Sequence, residues 1–538
     1  MKQLRPMVFL SVFALGACSQ AVTTGPAPVR PPVSPPIEFR DGPATDDWWR
    51  LDPVTDHVPG IGVERAYAEL LANRSPRREV VVAILDSGID VEHEDLAAVI
   101  WTNPGEIPGN NRDDDGNGYI DDVHGWNFIG GPDGRNVHQD TYEVTRLYKV
   151  CRDSGQLATP RCQAIAEEVE GRRAEAQGYL DQYLGIAATQ EQILSVLQNY
   201  LGTTSVTVET VQAISSSNPE VSQARQVYLR MMDAGATPEV IQEGIEQLTN
   251  QLDYNFNPDF NSRLIVGDDY SNLTQRFYGN SDVRGPDALH GTHVAGIVGA
   301  VRNNGIGING IASGVRIMSV RTVPDGDERD KDVANAIRYA VDNGASVLNM
   351  SFGKGYSPDK PIVDEAVRYA MSKGVLLVHA AGNDGEDLAT HENFPNPIFV
   401  DGERAGLWLE VGASGYTHDG LAASFSNYGT KQVDVFAPGV SIYSTVPDNE
   451  YRRLDGTSMA APVVTGLAAL LMAYYPELSA AQVKQIIMET VSPFQNEMVI
   501  LPGSFGQRRA FGELSVAGGV VNAYEALKRA AEITTSRN

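Results

Sequence analysis

Four short segments carry side chains that together can perform nucleophilic chemistry. They are AILDSGID with Asp86, HGTHVAG with His290, HAAGNDG with Asn383 and GTSMAAP with Ser458. A serine hydroxyl becomes a nucleophile when a histidine takes its proton and a carboxylate orients that histidine, and an amide donor stabilises the oxyanion that forms. Each residue alone is typical of a solvated surface or a turn. All four together predict a hydrolytic active site.

Two apolar runs are predicted to place two of these residues at the edge of a sheet. VVVAIL (80–85) is the continuous apolar run of a strand that is buried on both faces, and Asp86 follows it directly. A second run, GVLLVHAA (374–381), precedes Asn383. Because open α/β sheets carry their sites at the carboxyl ends of the strands, we expect both side chains at that edge.

Two helices are predicted to supply the remaining groups. The apolar run that follows Ser458 indicates a buried helix, whose first turn offers free backbone N–H groups and the positive end of the helix dipole. The small residues after His290 suit a helix packed closely on a sheet. His290 and His293 compete for the role of base; the position at the helix start favours His290, which leaves His293 as a packing residue.

In their order Asp, His, Asn, Ser, the four segments resemble the subtilase family of serine endopeptidases. The resemblance covers residues 46–140 and 260–530. It implies a subtilisin-like α/β fold of three layers (α/β/α), with a mostly parallel central sheet and a helical insertion. It also implies a catalytic triad of Asp86, His290 and Ser458, with Asn383 as the oxyanion donor.

The resemblance further implies where a peptide substrate would bind. LNMSFG (348–353) is similar to the family's substrate-binding strand, which would pair Ser351, Phe352 and Gly353 with the substrate backbone. The other wall of the specificity pocket would then consist of Ala380, Ala381 and Gly382.

An acidic loop, NNRDDDGNGYIDD (110–122), suggests a Ca²⁺ site. Its spacing follows the first positions of an EF-hand loop, with Asp113, Asp115, Asn117 and Gly118, and with Asp121 at position nine. His124 stands where an EF-hand has its closing glutamate, so we expect Asp121 or Asp122 to close the site instead. The alternative interpretation is a solvated acidic turn.

A second Ca²⁺ site is implied by the family resemblance alone. Asp95 and Asn304 match ligand positions of the tight calcium site of the subtilases, whereas Arg302 and Gly305 depart from the commoner residues there. We therefore expect one or two bound Ca²⁺ ions.

The N-terminal region reads as the leader of an exported protein. Residues 1–17 have basic residues followed by a short apolar stretch, which is typical of a signal peptide. The sequence Leu-Gly-Ala-Cys ending at Cys18 resembles the lipobox of bacterial lipoproteins, which implies lipidation of Cys18 and a membrane anchor. Residues 18–45 are rich in proline and predict an extended linker. An ordinary secretory signal is the alternative.

Compartment and cysteine usage are consistent with this interpretation. Ser19, directly after Cys18, resembles the signal that sorts lipoproteins to the outer membrane. The protein would then face the periplasm or the cell surface. Cys151 and Cys162 remain as a potential disulfide pair in an oxidising compartment, and as free thiols in a cytosol.

The remaining features concern size and charge. The chain has 538 residues and a formal net charge of −27, which argues against nucleic-acid binding. We expect a peptidase domain over 46–535. Far more residues separate Asp86 from His290 than the family needs, and the surplus, 141–255, has apolar residues at helical spacing.

Two interpretations of the 141–255 insertion remain open. It is either a lid, substrate selector or partner-docking module, or a stabilising decoration. For the whole chain, the leading hypothesis is a lipid-anchored serine endopeptidase that cleaves extracytoplasmic proteins or peptides. The alternatives are a non-catalytic lipoprotein that uses the fold as a peptide-binding scaffold, and an enzyme capped by its insertion until a partner moves it.

Overall fold

A seven-stranded parallel sheet forms the centre of the computed structural model, which describes residues 42–536. The predicted signal segment 1–17, Cys18 and most of the linker predicted for 18–45 lie outside the described residues. The strands of the sheet are β1 (Val80–Asp86), β2 (Gly125–Asn127), β3 (Val315–Arg321), β4 (Val347–Met350), β5 (Leu376–Ala380), β6 (Trp408–Ser414) and β7 (Val435–Pro438). Their order is β2-β3-β1-β4-β5-β6-β7, and every neighbouring pair is parallel.

Two antiparallel ribbons and thirteen α-helices complete the described part of the chain. The ribbons pair β8 (Ile442–Val446) with β9 (Glu450–Leu454) and β10 (Met498–Ile500) with β11 (Arg508–Ala510). The helices are α1 (Val63–Glu69), α2 (Glu143–Asp153), α3 (Pro160–Leu201), α4 (Val208–Gln212), α5 (Pro219–Asp233), α6 (Pro238–Asn250), α7 (Arg263–Val266), α8 (Leu289–Gly299), α9 (Asp330–Asp342), α10 (Lys360–Ser372), α11 (Thr457–Tyr474), α12 (Ala480–Glu489) and α13 (Ala523–Thr535). Short 3₁₀ turns span Trp48–Arg50, Ala97–Val99 and Phe511–Glu513, and a π-helical turn spans Gln251–Asn255.

Helices cover both faces of the sheet because successive side chains of a strand point to opposite faces. Val82 and Ile84 of β1 pack into a core with α8, α11, α12 and α13. Ala83 and Leu85 of the same strand pack into a second core with α9 and α10. Strands buried on both sides must be apolar throughout, which explains the unbroken run 80–85. The predicted α/β class with a parallel central sheet is confirmed.

Helix α11 lies at the centre of the first core. By length and composition it is the one helix within residues 42–536 that would suit a membrane span, yet 94% of it is buried inside the protein. A helix that is apolar on every side needs an apolar surrounding, which the sheet and its neighbouring helices supply here.

The region predicted as a helical insertion contains α2 to α6. Helix α3 has 42 residues and is about 60 Å long at ~1.5 Å per residue. The Thr159 hydroxyl caps its N-terminus by accepting from the Cys162 N–H, and a disulfide joins Cys162 to Cys151 of α2. Two apolar clusters, one with Ile165 and one with Leu197, give this region its own small cores.

Buried ion pairs join the start of the insertion to the segment that follows β4. The Glu143 carboxylate lies 2.5 Å from Arg146 Nη2 and 3.0 Å from Lys354 Nζ, and Lys354 Nζ lies 2.8 Å from Asp330 Oδ1. Burial by itself would raise the pKa of Glu143. The charges of Arg146 and Lys354 outweigh this effect and lower the pKa to about 2. The carboxylate is therefore charged at neutral pH, as these contacts require.

Candidate active site

Asp86 and His290 meet at the carboxyl edge of the sheet. Asp86 is the last residue of β1, and His290 is the second residue of α8. His290 Nδ1 donates to Asp86 Oδ1 at 2.7 Å, since a carboxylate can only accept. The helix approaches the strand this closely because Gly291 follows the histidine; a Cβ at Gly291 would lie 2.2 Å from the Gly88 carbonyl oxygen. The bond to Nδ1 leaves Nε2 as the imidazole nitrogen available to another group.

The Asp86 carboxylate controls the titration of His290. Burial lowers the pKa of His290, but the charge and hydrogen bond of Asp86, with a smaller contribution from the Asp287 charge, raise it by more. The net pKa lies above the ordinary value. The pair thus favours a positive charge on this imidazole.

His293, the competing histidine, has a different environment. It is fully buried, and its Nε2–H is shared between the carbonyl oxygens of Ile442 at 3.0 Å and Arg452 at 3.1 Å. Burial is the main cause that lowers its pKa to about 4. A neutral histidine held by two backbone carbonyls serves packing.

Ser458 is the second residue of α11 and contacts the segment after β4. Its Oγ donates to the Ser351 carbonyl at 3.2 Å, and Ser351 Oγ donates to the Ser458 carbonyl at 2.9 Å. Within residues 42–536 no hydrogen bond joins Ser458 to His290. The two are neighbours through Ser351, because His290 and Ser351 line the same cavity of about 320 Å³.

The Asn383 carboxamide is oriented by Thr457, a residue that the sequence did not single out. Asn383 Oδ1 accepts from the Thr457 N–H at 2.8 Å and from Thr457 Oγ1 at 3.0 Å. A Cβ at Gly456 would lie 3.7 Å from Asn383 Nδ2 and 3.5 Å from the Ser458 N. Two donors, the amide Nδ2 and the free backbone N–H of a helix start, therefore border one small space beside Ser458.

An asparagine lies between the segment predicted to pair with the substrate backbone and the segment predicted to form the other wall of the specificity pocket. Asn393 Nδ2 donates to the carbonyl oxygens of Ala380 at 3.3 Å and Ala381 at 3.1 Å. On the other side, a Cβ at Gly353 would lie 2.3 Å from Asn393 Oδ1. Asn393 closes the floor between the walls, and nothing in its local sequence distinguishes it from a turn residue.

The other predicted residues of these two segments differ in burial and in their contacts. Phe352 is buried, and Gly353 is exposed. Asn427 Nδ2 donates to the Ala381 carbonyl at 3.0 Å, and a Cβ at Gly382 would lie 2.4 Å from that Nδ2. A glycine at 382 is thus required for this close approach.

The acidic loop forms a carboxylate cluster that differs from the expected one. Ligand atoms of Glu106, Asp113 and Asp115 lie within 4.8 Å of one another. Glu106 was missed by the sequence analysis because it lies outside the aspartate-rich stretch. Its Oε2 is buried and has no hydrogen-bond partner in the described chain. Asn117 lies beside the cluster, since its N–H donates to Asp115 Oδ1 at 2.9 Å.

Asp121 and Asp122, expected to close the loop, lie outside this cluster. The Asp121 carboxylate accepts from the backbone N–H groups of 109–111, with a φ of 53° at Asp121 itself. The Asp122 carboxylate accepts from Asn103, Asn117 and the Tyr339 hydroxyl. Burial raises the pKa of Asp122 to about 6. Both carboxylates hold the loop together, which is why the structure differs from the expected closure.

The second set of expected ligands is brought together. Asn304 Nδ2 donates to Asp95 Oδ1 at 2.7 Å, and the Ile308 N–H donates to Asp95 Oδ2 at 2.9 Å. Asp95 is fully buried, and burial raises its pKa.

Comparison with known proteins shows the family to which the chain belongs. The model of the subtilase family (Peptidase S8) matches residues 77–513, a range that includes Asp86, His290, Asn383 and Ser458. The chain belongs to the subtilase family. The predicted membership of a family of serine-type peptidases is thereby confirmed.

Several named subtilases are similar to this chain over part of its length. A thermophilic serine proteinase of Bacillus sp. (strain AK1) is 42% identical over 225 residues, 41% of this chain and 49% of the relative. Subtilisin DY of Bacillus licheniformis is 39% identical over 206 residues, 38% of this chain and 70% of the relative. Thermitase of Thermoactinomyces vulgaris is 35% identical over 255 residues, 47% of this chain and 80% of the relative. The chain thus spans about half the length of the first of these subtilases and more of the other two.

The His290 environment predicts a measurable titration. An NMR titration should give His290 a pKa above 6.5 in the native protein and below 6.5 in Asp86→Asn. The variant loses the negative charge that raises this pKa, so that the lowering effect of burial dominates. Because the folded pKa is raised, the pair contributes fully to stability below pH 6.5 and loses that contribution as the pH rises through the folded pKa. His293 is the internal control and should stay neutral down to about pH 4 in both proteins. A His290 pKa unaffected by Asp86→Asn would contradict this account.

Proposed function

We propose that this subtilase is a serine endopeptidase that hydrolyses peptide bonds of proteins or peptides. The observation that carries the proposal is the 2.7 Å bond between His290 Nδ1 and Asp86, next to a serine at a helix start. The remaining support is the pair of donors beside Ser458 and the family membership.

In the proposed mechanism, rotation of the Ser458 side chain turns its hydroxyl from the Ser351 carbonyl toward His290 Nε2. Ser458 Oγ attacks the scissile carbonyl carbon as His290 takes its proton, and Asp86 stabilises the imidazolium. The Ser458 N–H and Asn383 Nδ2 donate to the oxyanion. His290 then returns the proton to the leaving amine, and water hydrolyses the acyl-enzyme by the same steps.

The proposed substrate path lies between two walls. The segment Ser351–Gly353 would pair with the backbone of the substrate, and Ala380–Gly382 would form the opposite wall. The exposure of Gly353, and the cavity that Gly353 and Asn393 both line, support this placement.

Replacement of the nucleophile tests the proposal. Ser458→Ala should lower the turnover of a peptide substrate about 10⁶-fold without loss of folding, because it removes the attacking atom. A fluorophosphonate probe should label Ser458 in the native protein, and neither Ser458→Ala nor heat-unfolded native protein should be labelled. Near-native turnover by Ser458→Ala refutes the mechanism; a folded native protein that neither cleaves peptides nor reacts with the probe favours the peptide-binding scaffold.

We also propose that the cluster of Glu106, Asp113 and Asp115 binds Ca²⁺. Three carboxylates this close repel one another unless a cation lies between them, and oxygen donors are the ligands that Ca²⁺ prefers. The buried Glu106 Oε2 without a partner supports a ligand at this position. Asp95 and Asn304 remain candidates for a second Ca²⁺ site.

Calcium removal gives the corresponding prediction. A chelator should lower the Tm of the native protein, and Glu106→Gln should both lower the Tm in Ca²⁺ and reduce the effect of the chelator, since the ion binds the folded state. Asp114→Asn is the matched control, because Asp114 lies in the same loop but outside the cluster. An equal chelator effect in the native protein and Glu106→Gln would exclude this site.

We propose in addition that the enzyme acts outside the cytoplasm from a lipid anchor on Cys18, at the outer membrane. The disulfide between Cys151 and Cys162 supports an oxidising compartment. Cys18 itself lies outside the described residues.

The anchor has a direct chemical test. Mass spectrometry of the protein isolated from its host should find Cys18 as the first residue, with a diacylglyceryl group on its sulfur. After cell fractionation, the Cys18→Ser variant should be absent from the membrane fraction. A mature protein without lipid, or one that starts elsewhere, contradicts the anchor.

A further inference from the structure

A cavity of about 570 Å³ lies between the insertion and the substrate-binding walls. Helix α3 lines one side with Glu168, Glu175 and Tyr179. The other side is lined by the segment from Gly353 to Tyr356 and by the loop from Asp384 to Asn393. The cavity therefore opens where a side chain of a bound peptide would pass Gly353.

The insertion is held in place at this cavity. Lys354, which directly follows Gly353, is 1% exposed and bonded to Glu143 of α2. On the cavity surface, the Tyr356 hydroxyl donates to Glu168 Oε2 of α3 at 2.6 Å. A buried ion pair such as Lys354–Glu143 is strongly destabilised when one partner is withdrawn. The ion pair to α2 and the hydrogen bond to α3 thus hold the insertion against the cavity, and α3 forms its wall.

The cavity carries an excess of negative charge. Its lining has six carboxylates, from Glu168, Glu175, Asp327, Asp384, Glu386 and Glu392, and two cations, from Arg172 and Lys354. Both cations are already paired: Lys354 with Glu143 and Asp330, and Arg172 with Glu168 at 3.4 Å.

Three of the carboxylates take part in no ion pair of the described chain. Within residues 42–536, no ion pair involves Glu175, Asp384 or Glu392, and all three residues are exposed and line the cavity. At the floor, Asn393 uses its Nδ2 on the Ala380 and Ala381 carbonyls, while its Oδ1 accepts no hydrogen bond in the described chain. The cavity lining thus carries more negative charge than its two cations can balance.

We propose that the insertion forms one wall of the specificity cavity and that this cavity selects a lysine or arginine side chain of the substrate. A cationic side chain supplies the missing counter-charge and forms charge-assisted hydrogen bonds with the carboxylates, whereas an acidic one is repelled and an apolar one leaves the excess negative charge unbalanced. The proposal rests on the proposed function, because it places the substrate backbone along Ser351–Gly353. It also assigns the insertion the role of a selector.

Peptides that differ in one charge test the selection. Fluorogenic peptides carry arginine, citrulline, leucine or glutamate before the scissile bond; citrulline has the shape of arginine without its charge. We expect kcat/KM for arginine to exceed that for citrulline about tenfold or more, with glutamate the poorest. The same arginine and citrulline peptides, titrated into full-length Ser458→Ala, should show the same order in Kd.

Charge-removing variants assign the preference to the cavity. Asp384→Asn, Glu392→Gln and Glu175→Gln should each lower the arginine-to-citrulline ratio about threefold, because each removes one charge that arginine can pair with and citrulline cannot. Glu170→Gln is the matched control for Glu175→Gln, since Glu170 is also exposed on α3 but does not line the cavity. A general structural defect would lower both rates and leave the ratio unchanged.

Failure of the proposal is distinct from failure of the proposed function. Cleavage that is equal for arginine and citrulline, or a ratio unaffected by all three variants, overturns the selection while the protease remains. Absence of cleavage and of probe labelling overturns the protease; the Kd measurements then still decide, because equal affinity for both peptides overturns the cavity's preference and tighter arginine binding supports it.

Discussion

The near-complete burial of α11 is the constraint on which the site depends. A helix surrounded by the sheet and its covering helices cannot shift along its axis without disturbing a close-packed core. A chain of hydrogen bonds then fixes its start against β4: Thr465 donates to Asn349 at 2.9 Å, Asn349 donates to Ser351 at 2.9 Å, and Ser351 donates to the Ser458 carbonyl. The nucleophile proposed here and the strand proposed to hold the substrate are thereby parts of one rigid unit.

A second set of contacts, formed by charged side chains, holds the insertion against the same unit. Removing ions from water costs several kcal/mol each, so the buried group around Lys354 is stable only while every partner stays in place. Glu143 contacts Lys354, and Glu168 contacts Tyr356, so both contacts join residues that are far apart in the sequence. Such an arrangement fixes geometry more than it adds stability, which is what a wall of a binding cavity requires.

Much of the fold and of the site was predictable from the sequence. Continuous apolar runs gave the strands ending at Asp86 and Ala380, and the helix after Ser458, because burial on every side leaves no room for polar residues. The roles proposed for Asp86, His290 and Asn383 rest on residue type, order and the small residues around them.

The remaining parts depend on contacts that a sequence pattern does not encode. Glu106 joins the acidic cluster only because the loop folds back on it, and Asp121 leaves the cluster because its carboxylate is used by backbone N–H groups. Asn393 and Thr457 look like ordinary loop or cap residues until the walls of the cleft are in place. The role of the insertion was undecidable because pairs such as Tyr356 and Glu168 are set by tertiary packing alone.

The central claim is that Ser458, His290 and the two donors act on one carbonyl group. A crystal structure of the full chain with a peptide boronate tests this most directly. The account predicts boron bonded to Ser458 Oγ, His290 Nε2 within hydrogen-bonding distance of the adduct, and a boronate oxygen accepting from the Ser458 N–H and Asn383 Nδ2. An inhibitor bound in the cleft without a bond to Ser458, or an imidazole turned away from the adduct, would contradict it.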